Sequence, residues 1–221
     1  MTFLQLINKV LRGLREPQAA SLTGEHTALI GQLVNEAKED IEDLGPWRAL
    51  RTIVDINTVA DSSTGIALTG ANERSYLLYQ QANAGQAFIV TADNERRLQV
   101  ISRNHHLSLD RLYPDADHAV PVSVSFAKNQ DGMNAHFWPV PDAVYAARFD
   151  LIIPQAELTS ATTELQIPSR PVWQEALARA MEERGEEFSG SLDAVRGRAA
   201  RSLESAMLAD FGVDPLTFTP E

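Results

Sequence analysis

The chain has 221 residues, 44% of them hydrophobic and 22% charged, so it can bury one good core or the cores of two fused subdomains. Its formal net charge of −11 argues against a protein that binds nucleic acid tightly, because such binding needs a basic face that neutralises phosphates. Cysteine is absent, which excludes disulfides, thiolate zinc sites and cysteine nucleophiles.

The sequence also lacks the patterns of a membrane or exported protein. No apolar stretch approaches the roughly 20 residues that a membrane span requires. The N-terminus lacks the basic-then-apolar order and the cleavage site of a signal peptide. We therefore expect a soluble protein that is not exported and has no membrane partner.

The first 48 residues predict a hairpin of two amphipathic helices. The first helix begins after Thr2, which forms a Thr-x-x-Gln capping box with Gln5, and it ends near Arg15 before a proline. The second has apolar residues spaced by three and four over residues 29–44 and stops at a Gly-Pro pair. Its charged residues, including Lys38 and Glu42, are expected mainly on the other faces.

From residue 49 to residue 156 the pattern changes to short β-rich runs separated by turn residues, which predicts a β-subdomain. An Asp-Gly pair at residues 131–132 predicts a hairpin turn. Residues 94–114 allow two interpretations, since 97–102 could be a strand and 106–112 a short helical turn. The candidate strands cover residues 52–59, 65–69, 75–79, 86–91, 121–127, 134–139 and 145–153.

Residues 157–210 predict two further helices. Pro171 lies where a helix accepts proline, within the first turn, and a third helix follows it until Gly185. The apolar residues between 192 and 207 define a fourth helix that runs to about Asp210. Residues 211–221 contain two prolines and no periodicity, which indicates an extended C-terminal arm.

This order of elements predicts an α+β fold. Helices at both chain ends are expected to pack into one bundle that carries a central antiparallel β-subdomain. We divide the chain into a helical hairpin (1–48), a β-rich subdomain (49–156), C-terminal helices that pack with the hairpin (157–210) and the arm (211–221).

Histidines and aspartates are densest between residues 105 and 118. Their spacing matches no ordered metal-binding motif, so we interpret the segment as a solvated loop and predict neither a metal nor another cofactor. The residues concerned are His105, His106, His118, Asp110, Asp115 and Asp117.

No catalytic motif stands out elsewhere. The nearest approach to a serine-nucleophile motif is Ser189-Gly-Ser191, whose position suits a helix N-cap. The carboxylate pairs Glu182/Glu183 and Glu186/Glu187 belong to a charged helix end and do not suggest a glycosidase pair. Phosphate-binding glycine loops are missing too. The sequence therefore favours a protein that is not an enzyme.

Three tryptophans lie at the edges of predicted elements: Trp47, Trp138 and Trp173. An amphipathic ring in such a position can pack subdomains together or anchor a second subunit. We favour packing and keep the intersubunit contact as the alternative.

Five segments of the chain are defined by their patterns of apolar and turn residues. They are Phe3-Leu-x-Leu-Ile-Asn-x-Val-Leu-x-x-Leu-Arg-Glu16, Ser21-Leu-Thr-Gly24, Trp47-Arg-x-Leu, His136-Phe-Trp-Pro-Val-Pro-Asp142 and Arg148-Phe-Asp-Leu-Ile-Ile-Pro154. Together with the closing pair of helices, they resemble the head-to-tail adaptor proteins of short-tailed bacteriophages, the tail-tubular-protein-A class. The likeness covers most of the chain.

The resemblance implies a structural virion protein. Such adaptors form a ring, typically of twelve copies, between the portal protein and the tail tube or nozzle. DNA would pass through the ring without specific binding, and the negative charge of the assembled copies would repel its phosphates. The implied location is the tail or neck of the virion, and the host cytoplasm during assembly.

The resemblance also implies roles for particular segments. The helices would pack neighbouring subunits side by side, and the C-terminal arm would dock on the portal through Phe211, Leu216 and Phe218. A frayed terminus is the alternative for the arm. Two other functions stay open: a different head or tail completion protein, such as a stopper, and a phage-encoded hydrolase that uses His105 and His106.

Overall fold

A computed structural model describes residues 1–78, 87–91, 94–113, 116–129, 132–185 and 190–211, with the backbone alone for residues 190 and 211. The helices are α1 (Phe3–Gly13), α2 (Glu25–Asp43), α3 (Arg103–Leu112), α4 (Ser169–Glu183) and α5 (Gly190–Phe211), with a 3₁₀ turn at Arg48–Leu50. The strands are β1 (Arg51–Asn57), β2 (Ile66–Ala67), β3 (Tyr76–Leu77), β4 (Ala87–Val90), β5 (Glu95–Arg97), β6 (Gln99–Val100), β7 (Ser123–Asn129), β8 (Gly132–Trp138) and β9 (Ala146–Ile152). The predicted α+β class is confirmed.

The chain divides into two compact units. The first, which we call the helical unit, consists of Met1–Leu50 and Gln155–Glu221. The second, the β-unit, consists of Arg51–Pro154 and includes α3. No described helix has an apolar stretch long enough to cross a membrane.

The start of α1 follows directly from its sequence. Thr2 and Gln5 form the predicted capping box, in which each side chain satisfies the backbone N–H of the other residue. The apolar face of α1 is buried, as its spacing predicts. The helix ends at Gly13, two residues before the predicted end, and α2 starts at Glu25, before its first apolar residue. Both differences are of the size expected at helix ends.

The central element of the helical unit is α4, which packs against α1, α2 and α5. Because it has neighbours on several sides, residues around most of its circumference are buried, including Val172, Gln174 and Ala178. Pro171 lies in its first turn, as predicted.

The β-unit contains two sheets that share one core. One sheet has the strand order β1-β9-β4-β5, with β3 also pairing with β9, and all its pairs are antiparallel. The other has the order β2-β8-β7-β6. Val54, Ile89 and Phe149 of the first sheet and Val124 and Phe137 of the second belong to the same buried cluster.

The sheets of the β-unit are rich in antiparallel pairs, as predicted, but one described pair differs. Strands β6 and β7 pair in parallel. The reason is α3, which lies between them in the chain and provides the crossover that a parallel pair needs. Residues 130 and 131 of the predicted hairpin turn lie outside the described residues, but β7 and β8 pair up to Asn129 and Gly132 on either side of them.

Candidate functional site

The C-terminal end of α1 places an arginine where helices usually place a glycine. Arg15 has a φ of 61°. Its N–H donates to the carbonyl of Arg12 at 3.1 Å, and the N–H of Glu16 donates to the carbonyl of Leu11 at 2.9 Å, which together form a Schellman motif. A side chain in this left-handed conformation costs roughly 1 kcal/mol relative to ordinary backbone. The helix end therefore holds Arg15 in a strained but well-defined position.

Arg15 lies beside a cleft of about 760 Å³ between the end of α1, α4 and α5. Trp173, Leu177 and Val195 contribute apolar surface to this cleft, and Arg198 lines it with Arg15. Among the described residues, neither arginine has a carboxylate partner, and the Arg198 Nε only donates to the Ala194 carbonyl of its own helix. We call this feature the arginine cleft.

On the other side of α4 the balance of charge is reversed. Arg179 contacts Asp40 of α2, Glu36 of α2 at 3.7 Å and Glu175 of α4 at 3.3 Å, so one cation serves three carboxylates. Burial tends to lower the pKa of Arg179, but hydrogen bonds to Asp40 and Glu175 outweigh it and raise that pKa above its ordinary value. Arg179 is thus a permanent cation that leaves two negative charges unbalanced.

The exposed edge of this acidic side is a straight row on α2. Glu36, Asp40 and Leu44 follow one another at intervals of four residues, which places them along one line of the helix. Asp40 and Glu36 keep 65% and 44% of their side-chain surface exposed, and Leu44 is 51% exposed. We call Glu36, Asp40 and Leu44 the acidic ridge.

A second charged pair of α2 is buried, against the sequence prediction. Lys38 and Glu42 have no exposed side-chain surface and lie 3.4 Å apart. The Lys38 ammonium also donates to the carbonyls of Gln155 at 2.5 Å and Ala156 at 3.2 Å, while the Gln155 N–H donates to Glu42 at 3.3 Å. The pair therefore holds residues 155 and 156, where the chain re-enters the helical unit, against α2.

The first part of the histidine-rich segment belongs to a helix, which includes the short helical turn considered at residues 106–112 and replaces the solvated loop of our interpretation there. His105 and His106 lie on α3, whose N-cap Ser102 accepts a hydrogen bond from the N–H of His105 at 3.2 Å. His106 is only 3% exposed and packs edge-on against His136 of β8, with 6.0 Å between ring centroids. The prediction failed because α3 starts earlier than its few apolar residues indicate, and so carries His106 inward.

The surroundings of these two rings favour neutral imidazole. Burial lowers the pKa of His106, aided by Arg103 and His136 and opposed by Asp110, whose carboxylate is 3.6 Å away. Burial and Arg103 likewise lower the pKa of His136. The Nδ1 of His106 and one terminal nitrogen of Arg103 are buried without a hydrogen-bond partner among the described residues. A proton on either imidazole would add a positive charge close to the Arg103 guanidinium.

The other residues of the predicted metal set are dispersed. His118 pairs with Asp61 at 2.6 Å, Asp117 is exposed and Asp115 lies outside the described residues. Within the described ranges, no three His, Cys, Asp or Glu side chains are grouped so that they could hold a metal ion.

The three tryptophans occupy different surroundings. Trp47 is completely buried and donates from its indole nitrogen to the Ile41 carbonyl at 2.7 Å. Trp138 is half-buried at the end of β8, with its ring 6.4 Å from that of Tyr113. Trp173 is half-buried in the arginine cleft. These positions suit packing at Trp47 and leave ring surface accessible at Trp138 and Trp173, and both predicted roles remain predictions.

Several other predicted residues lie beyond the described part of the chain. These are Ser189, Glu186, Glu187, Leu216, Phe218 and the side chain of Phe211. Glu182, by contrast, forms an ion pair with Arg196 of α5, so it serves to join two helices.

The described polar groups thus mainly join helices and strands to one another, as in a protein that serves as a building block. The chain belongs to the SU10 adaptor protein family, whose sequence profile matches residues 1–213. This membership confirms the resemblance to phage head-to-tail adaptors and makes the protein a structural adaptor of a bacteriophage and a component of the virion. No curated protein matches the sequence.

Proposed function

We propose that the protein forms a homo-oligomeric ring, typically of twelve copies, between the portal protein and the tail tube or nozzle in the neck of the virion. The observation that carries this proposal is the family match, which spans residues 1–213 and so includes both the helical unit and the β-unit. A ring at that position serves as a channel, through which DNA passes without specific binding.

The charge of the chain supports passage over binding. A net charge of −11 in each copy gives an assembled ring a strongly negative field, which repels phosphates and prevents tight contact with the genome. The low exposure of His106 weighs against its part in the hydrolase alternative, because a catalytic imidazole must reach its substrate, whereas His105 is exposed.

Imaging of isolated virion necks by electron microscopy tests the ring directly. The expected result is a closed ring of this protein adjoining the portal, with DNA-sized space at its centre and a negatively charged inner wall. Necks from particles that lack the protein provide the control. A single copy per neck, or a basic inner wall, would contradict the proposal.

The C-terminal arm, residues 211–221, is proposed to attach the ring to the portal through Phe211, Leu216 and Phe218. Helix α5 supports this role because it is 22 residues long and leads directly into the arm. Deletion of residues 211–221 should leave a folded protein that no longer attaches to portal-bearing heads, as measured by co-sedimentation. Unchanged attachment would show that the arm is not the docking segment.

A further inference from the structure

We infer that the arginine cleft of one copy receives the acidic ridge of the next copy, so that these two surfaces form the contact between neighbouring subunits. The inference deepens the proposed ring and rests on it. The occupant is a second copy of this chain, through Glu36, Asp40 and Leu44.

The arginine cleft and the acidic ridge carry complementary charge. Arg15 and Arg198 have no carboxylate partner among the described residues, although acidic residues outnumber basic ones by 30 to 19 in the chain. On the acidic side, by contrast, Arg179 is shared by Glu36, Asp40 and Glu175. These two cations, which lack a carboxylate partner in the described part of the chain, balance the two excess anions when the cleft of one copy meets the ridge of another.

The positions of the two surfaces also favour a contact between copies. Trp173 and Leu177 of α4 face the cleft, and Glu175 and Arg179, two residues further along, face the acidic side. Two residues correspond to about 200° around a helix, so the surfaces lie on opposite sides of α4. Unlike surfaces on opposite sides give head-to-tail contacts, and such contacts close into a ring when the rotation between copies allows it.

The apolar and charged groups of the acidic ridge also match those of the arginine cleft. Leu44 stands half exposed at the end of the acidic ridge, and the cleft offers Trp173, Leu177 and Val195 as apolar walls. An apolar side chain at the end of a row of two carboxylates therefore meets an apolar cleft that two arginines also line. Arg–carboxylate pairs around an apolar centre are the usual arrangement of a specific protein interface.

The conformation of Arg15 adds support. Glycine would satisfy the Schellman motif at the end of α1 without strain, yet the position carries a side chain with a φ of 61°. That backbone geometry fixes the Cα atom of Arg15 at the edge of the cleft. Arg15 therefore loses less conformational entropy when it forms the contact.

Charge reversal tests the inference. A cleft variant carries Arg15→Glu and Arg198→Glu, and a ridge variant carries Glu36→Lys and Asp40→Lys. Each variant alone should lose ring formation, because both of its contact surfaces then have the same sign of charge. A mixture of equal amounts should regain rings, since each copy then meets a neighbour of opposite charge, with the two variants alternating. Native mass spectrometry and negative-stain imaging, with and without portal protein, measure both effects.

The matched control carries Arg170→Glu and Arg201→Glu, two exposed arginines of the helical unit outside the cleft. It has the same change in charge as the cleft variant and should assemble like the wild type. Circular dichroism checks that each variant is folded. Should charge reversal unfold the chain, the milder pair Arg15→Gln and Arg198→Gln should require at least tenfold more protein for half-maximal assembly.

The outcomes separate this inference from the proposed function. If the wild type forms rings and the cleft variant forms them equally well, the subunit contact is elsewhere and the inference is wrong. The same conclusion follows if mixing the two variants restores nothing. If the wild type forms no ring even with portal protein, the proposed ring itself is wrong.

Discussion

One buried or half-buried pair of titratable residues in each unit is stabilised in the opposite way to the other. The helical unit keeps a charged pair, Lys38 and Glu42, and surrounds it with backbone hydrogen bonds at residues 155 and 156. The β-unit holds the imidazoles of His106 and His136 in surroundings that favour the uncharged form. Full pairing and neutralisation are the two ways in which a protein tolerates such groups away from water. The comparison shows that the two units should respond differently to mutation and to acid.

The largest effect is expected when the buried pair loses one partner. Glu42→Ala removes the carboxylate that lies 3.4 Å from the buried Lys38 ammonium, and removal of one partner from a buried ion pair usually costs about 3–5 kcal/mol. Urea unfolding followed by circular dichroism measures the loss. Glu204→Ala, on the exposed face of α5, is the control and should change the free energy of unfolding by under ~0.5 kcal/mol. A similar small change for Glu42→Ala would show that the pair does not hold the incoming chain.

A double replacement sharpens this result. Lys38→Met together with Glu42→Leu removes both charges and keeps similar side-chain volume, so it should destabilise the helical unit far less than Glu42→Ala. Equal losses would mean that packing around Glu42, and not the unpaired charge, sets its contribution.

An intermediate effect is expected from mild acid on the β-unit. The pKa values of His106 and His136 are lowered in the folded state, so the unfolded chain binds protons first as the pH falls. Stability should therefore be full above the ordinary histidine pKa of about 6.5 and decrease as the pH falls below it. Urea midpoints measured between pH 7.5 and pH 5 test the direction. His106→Leu should reduce this dependence, and an unchanged pH profile in that variant would exclude His106 as its source.

The smallest effect on stability is expected at the end of α1. Arg15→Gly removes the strain of a left-handed arginine, and its gain is partly offset by the greater freedom of glycine in the unfolded chain. The free energy of unfolding should stay equal or rise by up to about 1 kcal/mol, while ring assembly weakens. A substitution that improves folding but impairs assembly would separate the two roles of this residue. A clear loss of stability would show that the Arg15 side chain has contacts that matter within its own copy.

The sequence predicted those features that depend on local pattern. The capping box of Thr2 and Gln5, the apolar face of α1 and the proline in the first turn of α4 all follow from short-range rules, and the structure has them. The long strands β1, β7, β8 and β9 overlap the candidate strands for the same reason. The α+β class followed from the order of these elements.

Features that depend on tertiary contacts were missed. Lys38 lies four residues after Val34 and four before Glu42, so a helical projection could have placed both charges on the buried face. We instead assumed that charged residues lie outside, which is the general rule for lysine and glutamate. The arginine cleft could not be predicted at all, because Arg15 and Arg198 are 183 positions apart and meet only through the packing of α1 and α5 on α4.

The position of the arginine cleft and the acidic side on opposite sides of α4 has a geometrical consequence for the proposed assembly. Cleft and ridge are separated by a single helix, so the turn from each copy to the next depends on how α1, α2 and α5 are seated around that helix. A ring of twelve requires a turn of about 30° per copy, whereas a different turn gives a ring of another copy number or, where it does not close, an open helical filament. The copy number is therefore expected to depend on small residues where these helices pack against α4. One such residue is Gly13, where an added methyl group would lie 2.6 Å from Leu177 of α4.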